Sequence, residues 1–130
     1  MKRTPLRKKG KSQISKLKRK LWTLFSLYIR NRDNHTCFIC DKKGKSMQAG
    51  HFISKSVGGI ALYFHEENVN CCCYNCNINL GGNLYLYGKK LGEAKCEELY
   101  NIKHKVSEKW SEQDYLNKIG EYKEKLKQYD

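Results

Sequence analysis

The clearest pattern of apolar positions lies near the start of the chain. From Ser15, a residue type that often caps helices, large apolar side chains recur every three or four positions. These side chains are Leu17, Leu21, Leu24 and Tyr28, with Phe25 and Ile29 widening the same face. The spacing predicts an amphipathic helix that packs on the core and ends near residues 30–33, where Arg30 and Arg32 suit the helix dipole.

Two short segments in the middle of the chain predict a β-hairpin. Residues 46–54 alternate weakly between polar and apolar side chains, and residues 60–64 are rich in β-branched and aromatic side chains. The glycine pair at 58–59 marks the predicted turn between the strands. A short helix is predicted over residues 73–80, ended by a second glycine pair. Strand, strand and helix in this order form a ββα unit.

Three further helices are predicted in the C-terminal part. Residues 83–87 start one helix and residues 92–105 form another, with Leu91, Leu99 and Ile102 as packing positions. Residues 111–114 have the form of a capping box, with Asp in place of the usual Glu or Gln. Behind it, a helical stripe is formed by Tyr115, Ile119, Tyr122, Leu126 and Tyr129. The stripe predicts core packing, with a homodimer seam as the alternative.

Positive charge is concentrated at the N-terminus. The 130 residues include 26 Lys and Arg against 13 Asp and Glu, and the net charge is +13. Ten of these basic residues, and no acidic residue, lie within residues 1–20. We expect residues 1–14 to form a disordered arm that binds DNA phosphates. The residues expected to make these contacts are Arg3, Arg7, Lys8, Lys9 and Lys11.

The rest of the chain, residues 15–130, is predicted to be one domain. Its core is expected over about residues 36–90 and its C-terminal helices over about residues 91–130. The apolar segment 21–29 is too short to span a bilayer and has no cleavage site after it, so neither a membrane partner nor secretion is expected. Seven cysteines, an odd number, indicate a reducing cytoplasm in which thiolates bind metal.

Four cysteines have the spacing of a structural zinc site. They are Cys37, Cys40, Cys73 and Cys76. Two Cys-x2-Cys pairs predict tetrahedral coordination of Zn²⁺ by four thiolates. Cys71 or Cys72 could take the place of Cys73, but only Cys73 has the correct spacing to its partner. Cys96 stands alone and is expected to be a buried, unreactive thiol.

Polar residues within this frame suggest phosphodiester hydrolysis. That reaction needs a base to activate water, a cation to neutralise the phosphate, and a group that orients the base. His51 is the expected base. Asn77 offers an amide oxygen to a catalytic Mg²⁺ or Mn²⁺, and Asn68 is expected to fix the imidazole by a hydrogen bond.

At these residues the sequence resembles the HNH (His-Me finger) endonucleases in their zinc-stapled form. Within them it is most similar to the NinG/Rap recombination nucleases of lambdoid phages. The likeness covers most of residues 4–90. It rests on short motifs at residues 25–30, 32–33, 48–52, 67–69, 76–77 and 82–83. It implies an α+β fold whose zinc-stapled ββα-metal core is flanked by N- and C-terminal helices.

The resemblance also implies an activity. A member of this family is expected to be a metal-dependent, structure-directed endonuclease. It would cut branched DNA, such as D-loops and Holliday junctions, in the cytoplasm of a bacterial host. By matching positions, His51 is the general base, Asn77 a metal ligand and Asn68 the structural asparagine.

One position departs from the family pattern. Many HNH enzymes place Asp or His directly before the catalytic histidine as a metal ligand, and here that residue is Gly50. Two explanations remain open. Either His51 itself contacts the catalytic ion, or the missing ligand comes from Gln48, His65 or Glu66.

Two functions without catalysis compete with the nuclease. The basic arm and the zinc frame would equally suit a zinc-stabilised DNA-binding accessory or regulatory protein, which binds DNA but cuts none. An RNA-binding zinc-knuckle protein is a weaker alternative, since the nine tyrosines that could stack on bases fall mostly on predicted packing faces.

Overall fold

The computed structural model describes residues 9–105 and 108–130. Within them the chain is a mixed α+β fold, as predicted. Its elements are α1 (Lys9–Arg32), β1 (Gln48–His51), α2 (Lys55–Tyr63), β2 (Val69–Cys72), a π-helical turn (Asn75–Asn79), α3 (Leu84–Leu91), α4 (Glu93–Lys105), α5 (Glu112–Leu126) and a 3₁₀ turn (Lys127–Tyr129). Among the described residues, no helix is both long enough and apolar enough to cross a membrane.

The N-terminal helix packs through the predicted apolar face. Four side chains one turn apart form its buried ridge: Leu17, Leu21, Phe25 and Ile29. The remaining members of the predicted stripe, Leu24 and Tyr28, are half-buried beside this ridge. The helix therefore attaches to the core through side chains spaced by four, because residues i and i+4 lie on one face.

The helix begins earlier than the sequence indicated. α1 starts at Lys9, so the prediction of a disordered arm is wrong for residues 9–14. A nucleated helix propagates through residues of moderate propensity, and this segment contains no proline. Lys9 and Lys11 thus lie on α1. The other predicted DNA contacts, Arg3, Arg7 and Lys8, lie outside the described residues.

The sheet is a two-stranded antiparallel ladder in which His51 pairs with Val69. β1 confirms the first predicted strand, but the prediction of a second strand at residues 60–64 is wrong. Those residues form the last turn of α2 and the start of the short turn after it. The strand that pairs with β1 is β2. Gly59, with a φ of 74°, interrupts α2 where a hairpin turn was expected. A short apolar run fits a buried helical turn as well as a strand, so its composition was ambiguous.

The segment after β2 forms helices in the predicted order. The turn Asn75–Asn79 ends at a glycine pair with left-handed backbone, Gly81 at φ 58° and Gly82 at φ 93°. α3 and α4 follow and bury Tyr87 and Leu99 completely. These two side chains pack with the cysteine-rich end of the sheet in one apolar cluster.

The C-terminal helix packs along α1. The capping box is confirmed: the Asp114 backbone NH donates to Ser111 Oγ at 3.2 Å, and the Ser111 NH donates to the Asp114 carboxylate at 2.8 Å. Tyr115, Ile119 and Tyr122 of the predicted stripe are buried in the cluster that contains the α1 ridge. Core packing therefore accounts for the centre of the stripe, and the homodimer stays a prediction.

Arg32 joins the end of α1 to β2. Its guanidinium is three-quarters buried and forms an ion pair with Asp33 at 2.7 Å. It also donates to Asn70 Oδ1 at 3.0 Å and to the backbone carbonyls of Glu66 and Val69. Asp33 in turn accepts a hydrogen bond from the Cys71 NH at 2.8 Å. The pair thus satisfies polar groups of β2 that would otherwise lie buried without partners.

We expect Arg32→Met to destabilise the protein by about 2–4 kcal/mol, because it leaves the Asp33 carboxylate and three oxygen acceptors without their donor. Arg19→Met, on the exposed side of the same helix, is the control and should change stability by less than about 0.5 kcal/mol. Urea unfolding monitored by circular dichroism measures both. Equal effects of the two variants would contradict the role given to Arg32.

Candidate metal centre and active site

The two Cys-x2-Cys pairs meet at one point. The sulfur atoms of Cys37, Cys40, Cys73 and Cys76 all lie within 4.8 Å of one another. The Cys40 and Cys73 sulfurs are 3.7 Å apart. Four sulfurs at about 2.3 Å from a tetrahedral zinc would be separated by about 3.8 Å. The donor set therefore fits zinc, and the cluster contains Cys73 rather than either of its neighbours.

The chain holds the first pair in a tight turn attached to the sheet. The Cys37 NH donates to the Lys42 carbonyl at 2.7 Å, and the Asp41 NH donates back to Cys37 at 2.9 Å. The Phe38 NH donates to the carbonyl of Cys71 in β2, also at 2.7 Å. This last bond ties the turn after α1 to the strand that leads into the second pair.

The surroundings of the cluster favour the thiolate at Cys37 and oppose it at Cys76. Burial opposes ionisation of Cys37, but nearby backbone NH groups outweigh it and lower the pKa of this thiol to about 7. Burial and the neighbouring thiols raise the pKa of Cys76 to about 12, although Asn83 donates to its sulfur at 3.7 Å. Four sulfurs at this spacing would repel one another as anions, and a divalent cation removes that conflict.

The other cysteines lie outside the cluster. Cys71 and Cys72 are buried within β2, and burial raises the pKa of Cys71 to about 12. Cys96 is half-buried, and its SH donates to the Gly88 carbonyl at 3.4 Å. Burial also raises the pKa of the Cys96 thiol. All three therefore remain neutral thiols at pH 7.

His51 is held by contacts that keep it neutral. Its Nε2 lies 2.9 Å from the Tyr63 carbonyl, which can only accept, so Nε2 carries the proton and Nδ1 keeps its lone pair. The imidazole stacks on the rings of Tyr63 and Trp22, with centroids 4.6 and 5.2 Å away. Burial lowers the pKa of His51 below its ordinary value of 6.5, despite the opposing hydrogen bond to Tyr63.

Asn68 supports the site differently from the prediction. It is fully buried, and its amide accepts from the Ile53 NH at 2.8 Å and donates to the carbonyls of Ile53 and Leu62 at 2.9 Å. No hydrogen bond joins it to the imidazole. Tyr63, which follows Leu62, supplies the carbonyl that binds His51. Asn68 thus fixes the backbone that orients the ring.

Asn77 faces the same pocket as His51. Both residues line a surface pocket of about 340 Å³, together with Lys55 and Tyr63. The Asn77 Nδ2 donates to Gln48 Oε1 at 2.7 Å. This bond fixes the amide of Asn77 so that Asn77 Oδ1 points toward Gly50. Asn77 follows Cys76 directly, so the cysteine cluster determines where this amide lies.

The structure gives a reason for glycine at position 50. A Cβ there would lie 2.7 Å from the Cys72 sulfur and 3.0 Å from Asn77 Oδ1. A side chain at this position would therefore point at Asn77, as a metal ligand should, but no space is left for it. The Tyr87 hydroxyl further donates to the Gly50 carbonyl at 2.7 Å and holds the backbone in place.

Of the three alternatives for the missing ligand, the structure brings one into contact with Asn77 and places two in another pocket. His65 and Glu66 line a different pocket, and the Glu66 carboxylate is bound by Tyr122 and Lys125, each at 2.6 Å. Gln48 alone contacts Asn77. No carboxylate of the described residues lines the pocket of His51 and Asn77. These amide oxygens would suit only a weakly held Mg²⁺ or Mn²⁺ that keeps most of its water.

Two residues that hold His51 could hardly be recognised from the sequence. Tyr63 acts through its backbone carbonyl, which any residue type could supply. Trp22 was part of an apolar run, although it directly follows Leu21 and so lies beside the core ridge rather than on it. A large aromatic residue at the border of an amphipathic face was the available sign.

We expect the purified protein to contain one zinc ion per chain, measured by elemental analysis. Cys73→Ala should lose this zinc, because three thiolates hold it too weakly to survive purification. Cys72→Ala is the matched control, since it removes a buried thiol one residue away and should retain the metal. Zinc retained in Cys73→Ala but lost in Cys72→Ala would reassign the ligand.

Comparison with known proteins identifies the family. The model of the family described as "Bacteriophage Lambda NinG protein" matches residues 2–130. No curated protein and no solved structure gives a match. The family match extends over the cysteine pairs, the sheet, the pocket residues and the C-terminal helices alike, and the chain belongs to the NinG family.

Proposed function

We propose that this protein is a metal-dependent, structure-directed DNA endonuclease with a zinc-stapled ββα-metal (His-Me finger, HNH) centre. The observation that carries the proposal is His51, whose imidazole is neutral, oriented by a backbone carbonyl and placed in a pocket shared with Asn77. Base catalysis requires a neutral histidine in which one ring nitrogen keeps its lone pair while the other is held by a hydrogen bond.

In this proposal His51 Nδ1 takes a proton from the attacking water. The Tyr63 carbonyl stabilises the imidazolium that forms, because its bond to Nε2–H strengthens when the ring becomes positive. Because Nε2 is bound to the Tyr63 carbonyl, Nδ1 would have to serve in both roles, so His51 cannot be both the base and a ligand of the catalytic ion. We therefore favour the base role over direct metal contact.

Asn77 Oδ1, with Gln48 beside it, would hold the catalytic Mg²⁺ or Mn²⁺. Bound there, the ion would neutralise charge on the phosphate and the leaving oxygen. The hydrogen bond between Gln48 and Asn77 fixes the amide before any substrate arrives. Asn68 and the cysteine cluster act at greater distance, since they position the chain segments that present His51 and Asn77.

Branched DNA is the proposed substrate class. Membership of the NinG family, through the resemblance to recombination nucleases, supports D-loops and Holliday junctions, and a net charge of +13 supports a polyanionic partner. The two-fold symmetry of a junction would suit a homodimer, which we include in the proposal. The basic residues expected to contact DNA would add contacts to phosphates, namely Arg3, Arg7, Lys8, Lys9 and Lys11, of which the last two lie on α1.

The competing function is a zinc-stabilised accessory protein that binds DNA without cutting it. Among the described residues, none that lines the pocket of His51 and Asn77 is a carboxylate, which favours the accessory protein, because catalytic Mg²⁺ sites usually include one or two carboxylates. Cleavage distinguishes the two functions directly.

We expect the zinc-loaded protein to cut four-way and flap DNA with Mg²⁺ or Mn²⁺. His51→Ala should lower the single-turnover rate by about 10²- to 10⁴-fold, the usual contribution of a positioned base. His65→Ala is the control, because that histidine lies in a separate pocket, and its rate should stay within about twofold of the parent. Gel assays on labelled junctions measure all three.

Two outcomes would contradict the proposal. One is the absence of cleavage of any branched or linear DNA with either ion, which supports the accessory protein. The other is a folded, zinc-loaded His51→Ala that cuts as fast as the parent, which removes the catalytic role of His51.

The pH profile provides a second test. A base acts only when unprotonated, and the pKa of His51 lies below 6.5 because the ring is buried. We therefore expect the cleavage rate to rise with pH in the acidic range and to level off before neutral pH. Zinc content is measured at each pH, since protonated thiols release the metal. An inflection above pH 6.5 would contradict a buried neutral base.

A further inference from the structure

One ridge of α1 runs along the edge of the candidate active site. Side chains four residues apart form parallel ridges on a helix. The ridge next to the buried one consists of Lys18, Trp22, Ser26 and Arg30. Trp22 stacks on His51, and Trp22, Ser26 and Arg30 line a pocket together with Gln48 and Asn77.

The N-terminal end of this ridge carries two ammonium groups close together. Lys18 Nζ lies 4.8 Å and Lys55 Nζ 5.8 Å from the centre of the Tyr63 ring, which stacks on His51. Burial, and then the nearby Lys55, lower the pKa of Lys18 to about 8. Within the described part of the chain, neither ammonium group pairs with a carboxylate. Two like charges without a counterion favour binding of an anion.

The other end of the ridge carries Arg30. Its Nε donates to the Ser26 carbonyl at 3.2 Å, which lays the side chain along the helix. Its terminal NH₂ groups donate to no protein acceptor among the described residues. Twelve residues of helix separate Lys18 from Arg30, a rise of about 18 Å. A single phosphate group cannot bridge this length, whereas a DNA strand can follow it.

We propose that this ridge, completed by Lys55, is a track for one sugar-phosphate backbone of DNA. Lys18 and Lys55 hold phosphates on one side of the pocket of His51 and Asn77, and Arg30 holds a phosphate on the other side. Between them the small side chain of Ser26 leaves room for the strand. The inference rests on the proposed function, since it takes the strand to be the one that is cut.

The spacing of the charges favours a polymer over a free phosphate ion. A single phosphate could bind to Lys18 and Lys55, but it could not reach Arg30. A DNA strand of several nucleotides spans both ends.

The test is the salt dependence of DNA binding, measured by fluorescence anisotropy without Mg²⁺ so that no strand is cut. For Lys18→Met with Lys55→Met, the slope of log K against log salt should fall by about 2, and the affinity at 0.1 M salt by at least about tenfold. Lys20→Met with Lys123→Met is the control of equal charge. Both of these lysines are exposed and lie off the ridge, so the slope should stay unchanged.

Two further variant sets separate contact from structure. Lys18→Arg with Lys55→Arg keeps both charges and should keep the parent slope. Arg30→Met should lower the slope by about 1, against no change for Arg19→Met on another ridge of α1. A methionine pair that behaves like its control, or an arginine pair that loses binding, overturns the track.

Inorganic phosphate distinguishes the two sources of the anion. At constant ionic strength, millimolar phosphate should leave DNA binding unchanged. Displacement of DNA by phosphate in the parent but not in the methionine pair would replace the track with a free-anion site. Because binding is measured without cleavage, the two proposals fail separately. If the methionine pair cuts DNA and has the same salt slope as the parent, the track is rejected and the enzyme proposal stands. If the slopes change as expected but the parent protein cuts no DNA, the enzyme proposal is rejected and the track stands.

Discussion

The convergence of four thiols holds the two halves of the site together. Cys37 and Cys40 follow α1, whereas Cys73 and Cys76 follow β2, and the backbone bond from Phe38 to Cys71 joins the same two segments. Asn77 is the next residue after the last cysteine and lies over Gly50 of β1. In a chain of 130 residues, a zinc ion held at this point would stabilise the fold and would also fix the position of Asn77, the proposed ligand of the catalytic ion.

The second requirement is a histidine kept neutral inside a strongly basic protein. Three elements act on His51 from different parts of the chain: β1 carries it, α1 covers it with Trp22, and α2 supplies both the ring and the carbonyl of Tyr63. Asn68 fixes the backbone of that carbonyl from the start of β2. Burial opposes protonation, and the carbonyl selects the tautomer. The ring is therefore oriented before DNA or a catalytic ion binds.

The sequence predicted the structure best where a motif combines particular residue types with a fixed spacing. The two Cys-x2-Cys pairs, the capping box at Ser111 and the α1 ridge were predictable because each is a pattern of residue types at a fixed local spacing. The second strand was not, because Val69–Cys72 carries an asparagine and two cysteines in place of typical strand residues. The partner of His51 was also hidden, since a backbone carbonyl leaves no mark in the sequence. Likewise, only three-dimensional packing shows that Cys72 leaves no room for a side chain at Gly50.

We propose that the folded, zinc-loaded chain presents His51 as a neutral base with Nδ1 open. Nitrogen-15 NMR of the histidine rings measures this directly, with His51→Gln identifying the signal. The prediction is a proton on Nε2, a bare Nδ1, and a pKa below 6.5 that returns toward 6.5 when a chelator removes zinc. A proton on Nδ1, or a pKa of 6.5 or more in the zinc-loaded protein, would contradict it.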